Sequence, residues 1–241
     1  MNIIKISNID STNNYAAKLV ANKELIEETL IYTDYQKQGK GLGKNKWYSE
    51  KNKNILASLI VFPEIKVEQH FQLNMIISIS ICEYLQIKGV SAKIKWPNDI
   101  YVKDDKIAGI LVENRFYGDK INNSVIGVGL NLNQTDFPSE VLNPVSLKTI
   151  NNQDYNIENE IKELFLLISK GIKSLQKFKS TGIKSSYLDK LYRYDEWSYF
   201  KKENFTFEAK IIDVKNDGYI VLVDKNGNQR DYYFKEVEYN I

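Results

Sequence analysis

The chain has 241 residues, 43% of them hydrophobic and 27% charged, an ordinary globular composition that excludes long disordered stretches. At roughly 150 residues per domain, that length suits one domain with a small appendage. The net charge is only +2 and the arginines are just Arg115, Arg193 and Arg230, which excludes a dedicated nucleic-acid binder. The single cysteine, Cys82, forms no intramolecular disulfide, and the single histidine, His70, rules out HExxH and Cys2His2 metal sites. The N-terminus shows no leader-peptide pattern, and the longest apolar run, residues 55–62, falls well short of the ~18 residues a membrane span needs. A cytoplasmic protein without a membrane anchor is predicted.

In chain order, residues 3–7 alternate apolar and polar and predict a half-buried strand. Asp10, Ser11, Thr12 and Asn13 are capping residue types ahead of residues 15–22, whose Tyr15, Ala16, Leu19 and Val20 share a helical face. Residues 29–35 predict a strand. Residues 36–54 form a glycine- and lysine-rich loop with almost no aliphatic content, and loops of that length are functional or disordered. Residues 55–62 predict a buried strand, and residues 70–89 a helix ending on Gly89. A strand-rich block follows over 92–96, 99–116 and 121–133, with a hairpin at Asp104-Asp105 and a turn at Tyr117-Gly118-Asp119.

Helices are predicted over 157–178 and 183–197. From about 201 the texture changes to short strands separated by Asn216-Asp217-Gly218 and Lys225-Asn226-Gly227. That tail suffices for a small β-barrel and not for an independent enzyme. The predicted class is α+β: a mixed, mainly antiparallel sheet flanked by helices over residues 1–200, with a small all-β domain over 201–241.

Three segments carry candidate chemistry. In residues 39–47 (GKGLGKNKW) the glycines permit close backbone approach to an anion, and Lys37, Lys40, Lys44 and Lys46 supply charge. Lys44 stands where both a Walker A loop and a Rossmann fingerprint need glycine, so neither applies. From this stretch alone, a solvated mobile loop is the simpler account. Residues 95–109 place Trp96-Pro97-Asn98-Asp99 at a strand corner, an ordinary turn on its own terms. Lys106 lies on the face opposite Ile107; it is either a snorkelling surface lysine or a point charge for a phosphate or carboxylate. In residues 125–133 Gly127 and Gly129 leave one strand face without side chains, ahead of Asn131 and Asn133 on that face. Such a face either accepts a flat ligand or permits tight packing. Cys82 falls on an apolar helix face and reads as core.

Taken in order, IDSTN (9–13), the loop from Gln36 to Trp47, KWPNDIYVKDDKIAGILVE (95–113) and VIGVGLNLN (125–133) resemble the motifs of the biotin protein ligase family. The resemblance spans essentially the whole chain, and its most specific part is Lys-Trp-Pro-Asn-Asp with Lys106 following. It implies the biotin–lipoate ligase fold, which is class II aminoacyl-tRNA synthetase-like, with an SH3-like tail. It implies a monofunctional type without the N-terminal helix-turn-helix domain, and hence no operator binding. The implied reaction activates biotin with ATP and Mg2+ to biotinoyl-AMP, then transfers biotin to a lysine of a biotin carboxyl carrier domain of acetyl-CoA carboxylase or a related carboxylase. Family habit also implies a homodimer through an exposed strand edge.

Carried over by residue, the resemblance implies that Ser11, Thr12, Asn13 and Gln36 line the biotin rings. Gly39, Lys40 and Gly41 would wrap the carboxylate and acyl phosphate. Lys106 and Lys40 would be the catalytic charges, and Gly127 and Gly129 the floor beside biotin. Lys46, Trp47, Lys95, Asn98 and Asn131 would serve the nucleotide. Two positions depart from the family. Lys40 replaces a common arginine, trading a bidentate fork for a point charge. Leu42 stands where an arginine is usual in the loop that closes over the adenylate. Two other functions fit part of this pattern: a lipoate or octanoate ligase of the same superfamily, and a non-catalytic biotin- or carrier-binding module.

Overall fold

A computed structural model of the chain describes residues 2–178 and 182–240. Seven strands make the main sheet: β1 (Asn2–Ile6), β2 (Thr29–Thr33), β3 (Ile55–Val61), β4 (Lys93–Lys95), β5 (Asp99–Val102), β6 (Asp105–Tyr117) and β7 (Lys120–Leu130). Their spatial order is β1-β2-β3-β7-β6-β5-β4. Only β1 and β2 run parallel. That pair is the one joined by a crossover helix, α1 (Thr12–Ala21), since parallel neighbours cannot be linked by a tight turn. The mixed, mainly antiparallel sheet expected from the sequence is therefore present.

All seven residues of β3 are buried, because helices cover both of its faces. On one side Ala16 and Val20 of α1 pack with Ile31, Ile60 and Val125. On the other lie α2 (Phe71–Ile87) and α4 (Ile157–Phe178). Being covered by both the sheet and α4, α2 is apolar nearly all round, and Cys82 is core there as its position predicts. Gly89 follows α2 at φ +77°, the left-handed conformation expected of a glycine terminator.

Two elements differ from the sequence expectation. The helix expected over 183–197 stops early: α5 is Ile183–Asp189, after which Leu191 bridges to Ile94 and Ser198–Lys202 forms a strand, β8. Tertiary pairing with the sheets captures residues whose local pattern is equally compatible with a helix. A short helix, α3 (Leu147–Asn151), is additional; Ser146 caps it by accepting from Thr149 N at 3.2 Å.

The second sheet contains β8, β9 (Phe205–Val214), β10 (Ile220–Asp224), β11 (Gln229–Tyr232) and β12 (Glu238–Tyr239), in the order β11-β10-β9-β8-β12. It is antiparallel throughout, and no pairing joins the edges β11 and β12 among the described residues. The expected turns at 216–218 and 225–227 connect its strands. Its Asn216-Asp217-Gly218 turn is tied to the main body: Trp96 Nε1 donates to Gly218 O at 2.9 Å, and Phe71 N donates to Asn216 O at 3.1 Å.

Candidate active site

A cleft of about 610 Å3, within the usual range for small-molecule sites, opens over the C-terminal half of β7 and the start of α1. Its chemistry is uneven from end to end. One end is polar and uncharged; the other collects lysines.

At the uncharged end, Ser11 is the N-cap of α1, and Thr12 and Asn13 begin its first turn. A helix start leaves its first N–H groups unpaired. Here the Gln36 carboxamide oxygen accepts from Thr12 N at 2.8 Å, which turns the Gln36 amide nitrogen away from the helix. Asn13 is fully engaged: its nitrogen donates to Glu113 at 2.8 Å and to Leu111 O at 3.3 Å, and its oxygen lies 2.6 Å from Ser58 Oγ.

The glycine face of β7 is occupied by side chains of the protein itself. A Cβ on Gly127 would stand 2.3 Å from Asn13 Oδ1, and one on Gly129 would stand 2.4 Å from Trp47 Cε2. Both glycines line the cleft, but each also makes room for a neighbour, so packing and ligand space coincide here. Gly109 on β6 completes the floor, with Trp47 Cζ3 at 3.1 Å from its would-be Cβ.

At the charged end, Lys106 sits beside a bulge in the β5–β6 ladder, where pairing slips between Ile100 and Tyr101. Bulges re-aim side chains, and this one sends Lys106 across Gly109 to Asp99, with Nζ 2.6 Å from Oδ1. The main chain of Lys106 is bracketed, donating to Asn143 O at 2.6 Å and accepting from Val145 N at 3.0 Å. Next to it Lys95 Nζ donates to the Tyr101 hydroxyl at 3.0 Å and lies over the Tyr101 and Tyr239 rings. Burial pushes the Lys95 ammonium below the ordinary lysine pKa, and the charges of Lys106 and Arg193 act in the same direction.

The glycine- and lysine-rich loop is a hairpin rather than an open coil. Trp47 N donates to Gly39 O at 2.9 Å, Gly41 N donates to Asn45 O at 2.8 Å, and Lys40 bridges to Lys46. It carries Lys40, Gly41, Leu42, Lys46 and Trp47 to the cleft, whereas Lys37 and Lys44 lie outside its lining. From the second sheet, Lys235, Val237, Glu238 and Tyr239 form the far wall.

Of the residues singled out in the sequence, the cleft brings together Ser11, Thr12, Asn13, Gln36, Lys40, Gly41, Lys46, Trp47, Lys95, Asn98, Lys106, Gly127 and Gly129. Gly39 and Asn131 stand behind the lining. A Cβ on Gly39 would meet Trp47 O at 2.4 Å, and Asn131 Nδ2 donates to Val145 O at 3.0 Å, holding the segment that brackets Lys106. Asn98, although in the lining, spends its amide on Ile110 O at 2.9 Å. Asn133 is paired with the backbone of Tyr155. Sequence reasoning missed Ser58, Asp99 as the partner of Lys106, and the wall from the second sheet. A serine inside the apolar run 55–62 was the available signal for the first; the other two are long-range contacts without a local signature.

Among the described residues no group of three His, Cys, Asp or Glu side chains is placed to hold a metal ion. Nor is any helix long and apolar enough to cross a membrane.

Residues 6–131, which hold the motifs named above except the last two residues of 125–133, match the biotin/lipoate A/B protein ligase family. Over 228 residues the chain is 28% identical to the bifunctional ligase/repressor BirA of Bacillus spizizenii, covering 93% of this chain and 70% of that protein. It is 28% identical over 130 residues to the biotin–[acetyl-CoA-carboxylase] ligase of Paracoccus denitrificans, covering 53% of each. The structure of the biotin protein ligase of Aquifex aeolicus in complex with biotin and ATP superposes with a TM-score of 0.80 at 24% identity, over 98% of this chain and 97% of that one. That likeness establishes the common fold. With its family motifs gathered in one cleft on that fold, the chain belongs to the biotin/lipoate A/B protein ligase family.

Proposed function

We propose that the protein is an ATP-dependent biotin–protein ligase. The observation that carries this is the polarity of the cleft: a neutral hydrogen-bonding end at Thr12 and Gln36, and a lysine-lined end at Lys106, Lys95, Lys40 and Lys46. A cyclic urea with an anionic tail needs the first for its ring and the second for its carboxylate and the phosphates. An aliphatic acyl chain would leave the polar end unpaired, at a cost of about 1–3 kcal/mol for each buried group without a partner.

In the first step a biotin carboxylate oxygen attacks the α-phosphorus of ATP, forming biotinoyl-AMP and expelling pyrophosphate. In the second a carrier lysine amine attacks the acyl carbon, AMP departs, and the amine loses a proton. Neither step needs a nucleophile from this chain, and Cys82, buried in α2, is in no position to be one. The work is positioning and charge neutralisation. Lys106 and Lys40 meet the carboxylate and acyl phosphate, with Gly39 and Gly41 letting the loop backbone close over them. Ser11, Thr12 and Gln36 hold the rings, with Asn13 packed on Gly127 and Trp47 on Gly129 forming the surface beneath them. Lys46, Trp47, Lys95, Asn98 and Asn131 serve the nucleotide, directly or through the segment they brace. Magnesium would be carried on the ATP phosphates, where it would neutralise their charge; the lining holds two carboxylates, Asp99 and Glu238, and Asp99 is already paired with Lys106.

The acceptor in this reading is a biotin carboxyl carrier domain of acetyl-CoA carboxylase or a related enzyme, in line with the name of the Paracoccus relative. The same reading puts the protein in the cytoplasm, as a monomer or a homodimer through a strand edge. It also divides the chain into a ligase domain, 1–200, and a tail, 201–241, that contributes cleft wall.

ATP–pyrophosphate exchange, run separately with biotin, lipoate and octanoate, tests it. Exchange with biotin alone, abolished in Lys106→Ala, is the expected outcome. Exchange with lipoate or octanoate instead would move the chain to that branch of the family.

A further inference from the structure

Lys235 stands in the connection between β11 and β12, on the far wall of the cleft. Its backbone takes φ +70°, a left-handed conformation uncommon outside glycine. The turn around it is pinned: Tyr233 N donates to the Glu236 carboxylate at 2.7 Å, Glu236 N donates to Tyr233 O at 3.1 Å, and Phe234 bridges to Val237. The carboxylate next to Lys235 in sequence is thereby committed to the backbone. Among the described residues Lys235 itself forms no ion pair or hydrogen bond, and its Nζ lies 6.0 Å from the centre of the Phe234 ring.

The ammonium instead rests on the tip of the glycine- and lysine-rich hairpin. Gly43, at φ +67°, has no room for a side chain, because a Cβ there would stand 2.9 Å from Lys235 Cε and closer still to its Nζ. Leu42, just before it, brings no charge to the cleft, and Lys44, just after it, lies outside the lining. The hairpin tip is therefore neutral on its cleft side, and the cation found there comes from the second sheet. Lys106 is half-buried and already holds Asp99, whereas Lys235 is exposed and unneutralised at the mouth. An ATP attacked at its α-phosphorus must bring that phosphate down to Lys106 and let its two outer phosphates leave toward solvent. Those outer phosphates carry most of the charge.

We propose that Lys235 pairs with the outer phosphates of ATP, and so with the departing pyrophosphate, which makes the second sheet part of the nucleotide site. This assignment rests on the ligase reading above and adds a charge that lies outside the motifs of residues 6–131.

The test uses the intact chain with Mg2+ and two probes. One is ATP with a methylene bridge between its α- and β-phosphorus atoms, which cannot react; the other is biotinoyl-AMP, which has no outer phosphates. Lys235→Met keeps a stem against Gly43 and removes the charge. It should raise the calorimetric Kd for the ATP analogue about three- to tenfold, the scale of one charge-assisted contact at a solvent-facing rim, and leave the Kd for biotinoyl-AMP unchanged. Lys235→Arg should restore most of the affinity, and Lys235→Glu should lose more than the methionine variant. The ratio between wild type and Lys235→Met should shrink as KCl rises, whereas lost packing would give a constant ratio. An unchanged analogue Kd in Lys235→Met, a ratio constant across salt, or equal weakening of biotinoyl-AMP overturns the assignment and leaves the ligase reading standing. A wild type that binds neither biotin nor the analogue removes both.

Discussion

Replacing Gly127 by alanine separates two uses of a bare strand face. If the face serves only as a floor for ligand, alanine harms binding and leaves the apo protein as stable as before. The structure instead puts Asn13 Oδ1 2.3 Å from the new Cβ, where ordinary contact begins near 3.4 Å. Asn13 must retreat by about 1 Å, which breaks its contacts with Ser58 at 2.6 Å and Glu113 at 2.8 Å. At roughly 1 kcal/mol for each bond, plus the cost of an orphaned buried carbonyl, the loss is about 2–4 kcal/mol. For a chain of this size that lowers Tm by about 5–15 °C. The check is thermal denaturation of Gly127→Ala, Asn13→Ala and the double variant without ligand. Removing the Asn13 side chain empties the slot, so alanine at 127 should cost little in that background. Equal cost in both backgrounds would refute the reasoning.

At the charged end, kcat/KM for ATP should fall as pH rises through a value below 10.5, because burial holds the Lys95 ammonium below that ordinary lysine pKa and its neutral form cannot pair with phosphate. A steady-state pH profile should show that limb in the wild type and lose it in Lys95→Arg, whose charge persists. Cys82, 3% exposed and with burial raising its thiol pKa to about 12, should resist iodoacetamide until the protein is unfolded, as intact-mass measurement would show. Leu42 lines the cleft without charge, so Leu42→Arg should slow the escape of biotinoyl-AMP several-fold in a single-turnover release assay; equal release rates would exclude a leaky loop.

The parts of the fold that could be read from sequence are those whose instructions are local. Alternation over residues 3–7, the unbroken apolar run 55–62 and the helical spacing of 70–89 correspond to β1, β3 and α2, since periodicity, burial and length agree there. The end of the helix starting at 183 was not legible, because Leu191 and Ser198 are claimed by pairing with strands far away in sequence. The cleft divides in the same way. Residue types and spacing single out Lys106, Gln36 and the glycines of 125–133, yet nothing local says that Asn131 braces a backbone segment, or that Asp99 waits for Lys106 across a bulge. The 39–47 loop has the composition of a mobile segment and is nevertheless a hairpin, its charge spread around backbone bonds that composition does not reveal.

The indole of Trp96, 4% exposed, hands its only proton to a carbonyl in a turn more than a hundred residues away. One continuous apolar cluster runs from Leu30 and Phe71 through Tyr187 to Ile211, Leu222 and Val237, crossing from the first sheet to the second. The tail is thus a keystone rather than an accessory. Cutting the chain near 201 would strand a buried donor, at about 1–3 kcal/mol, and open the shared apolar cluster to water. The remnant should aggregate instead of surviving as a smaller enzyme. The intact protein should melt in one cooperative calorimetric transition, with no step in which one sheet outlives the other.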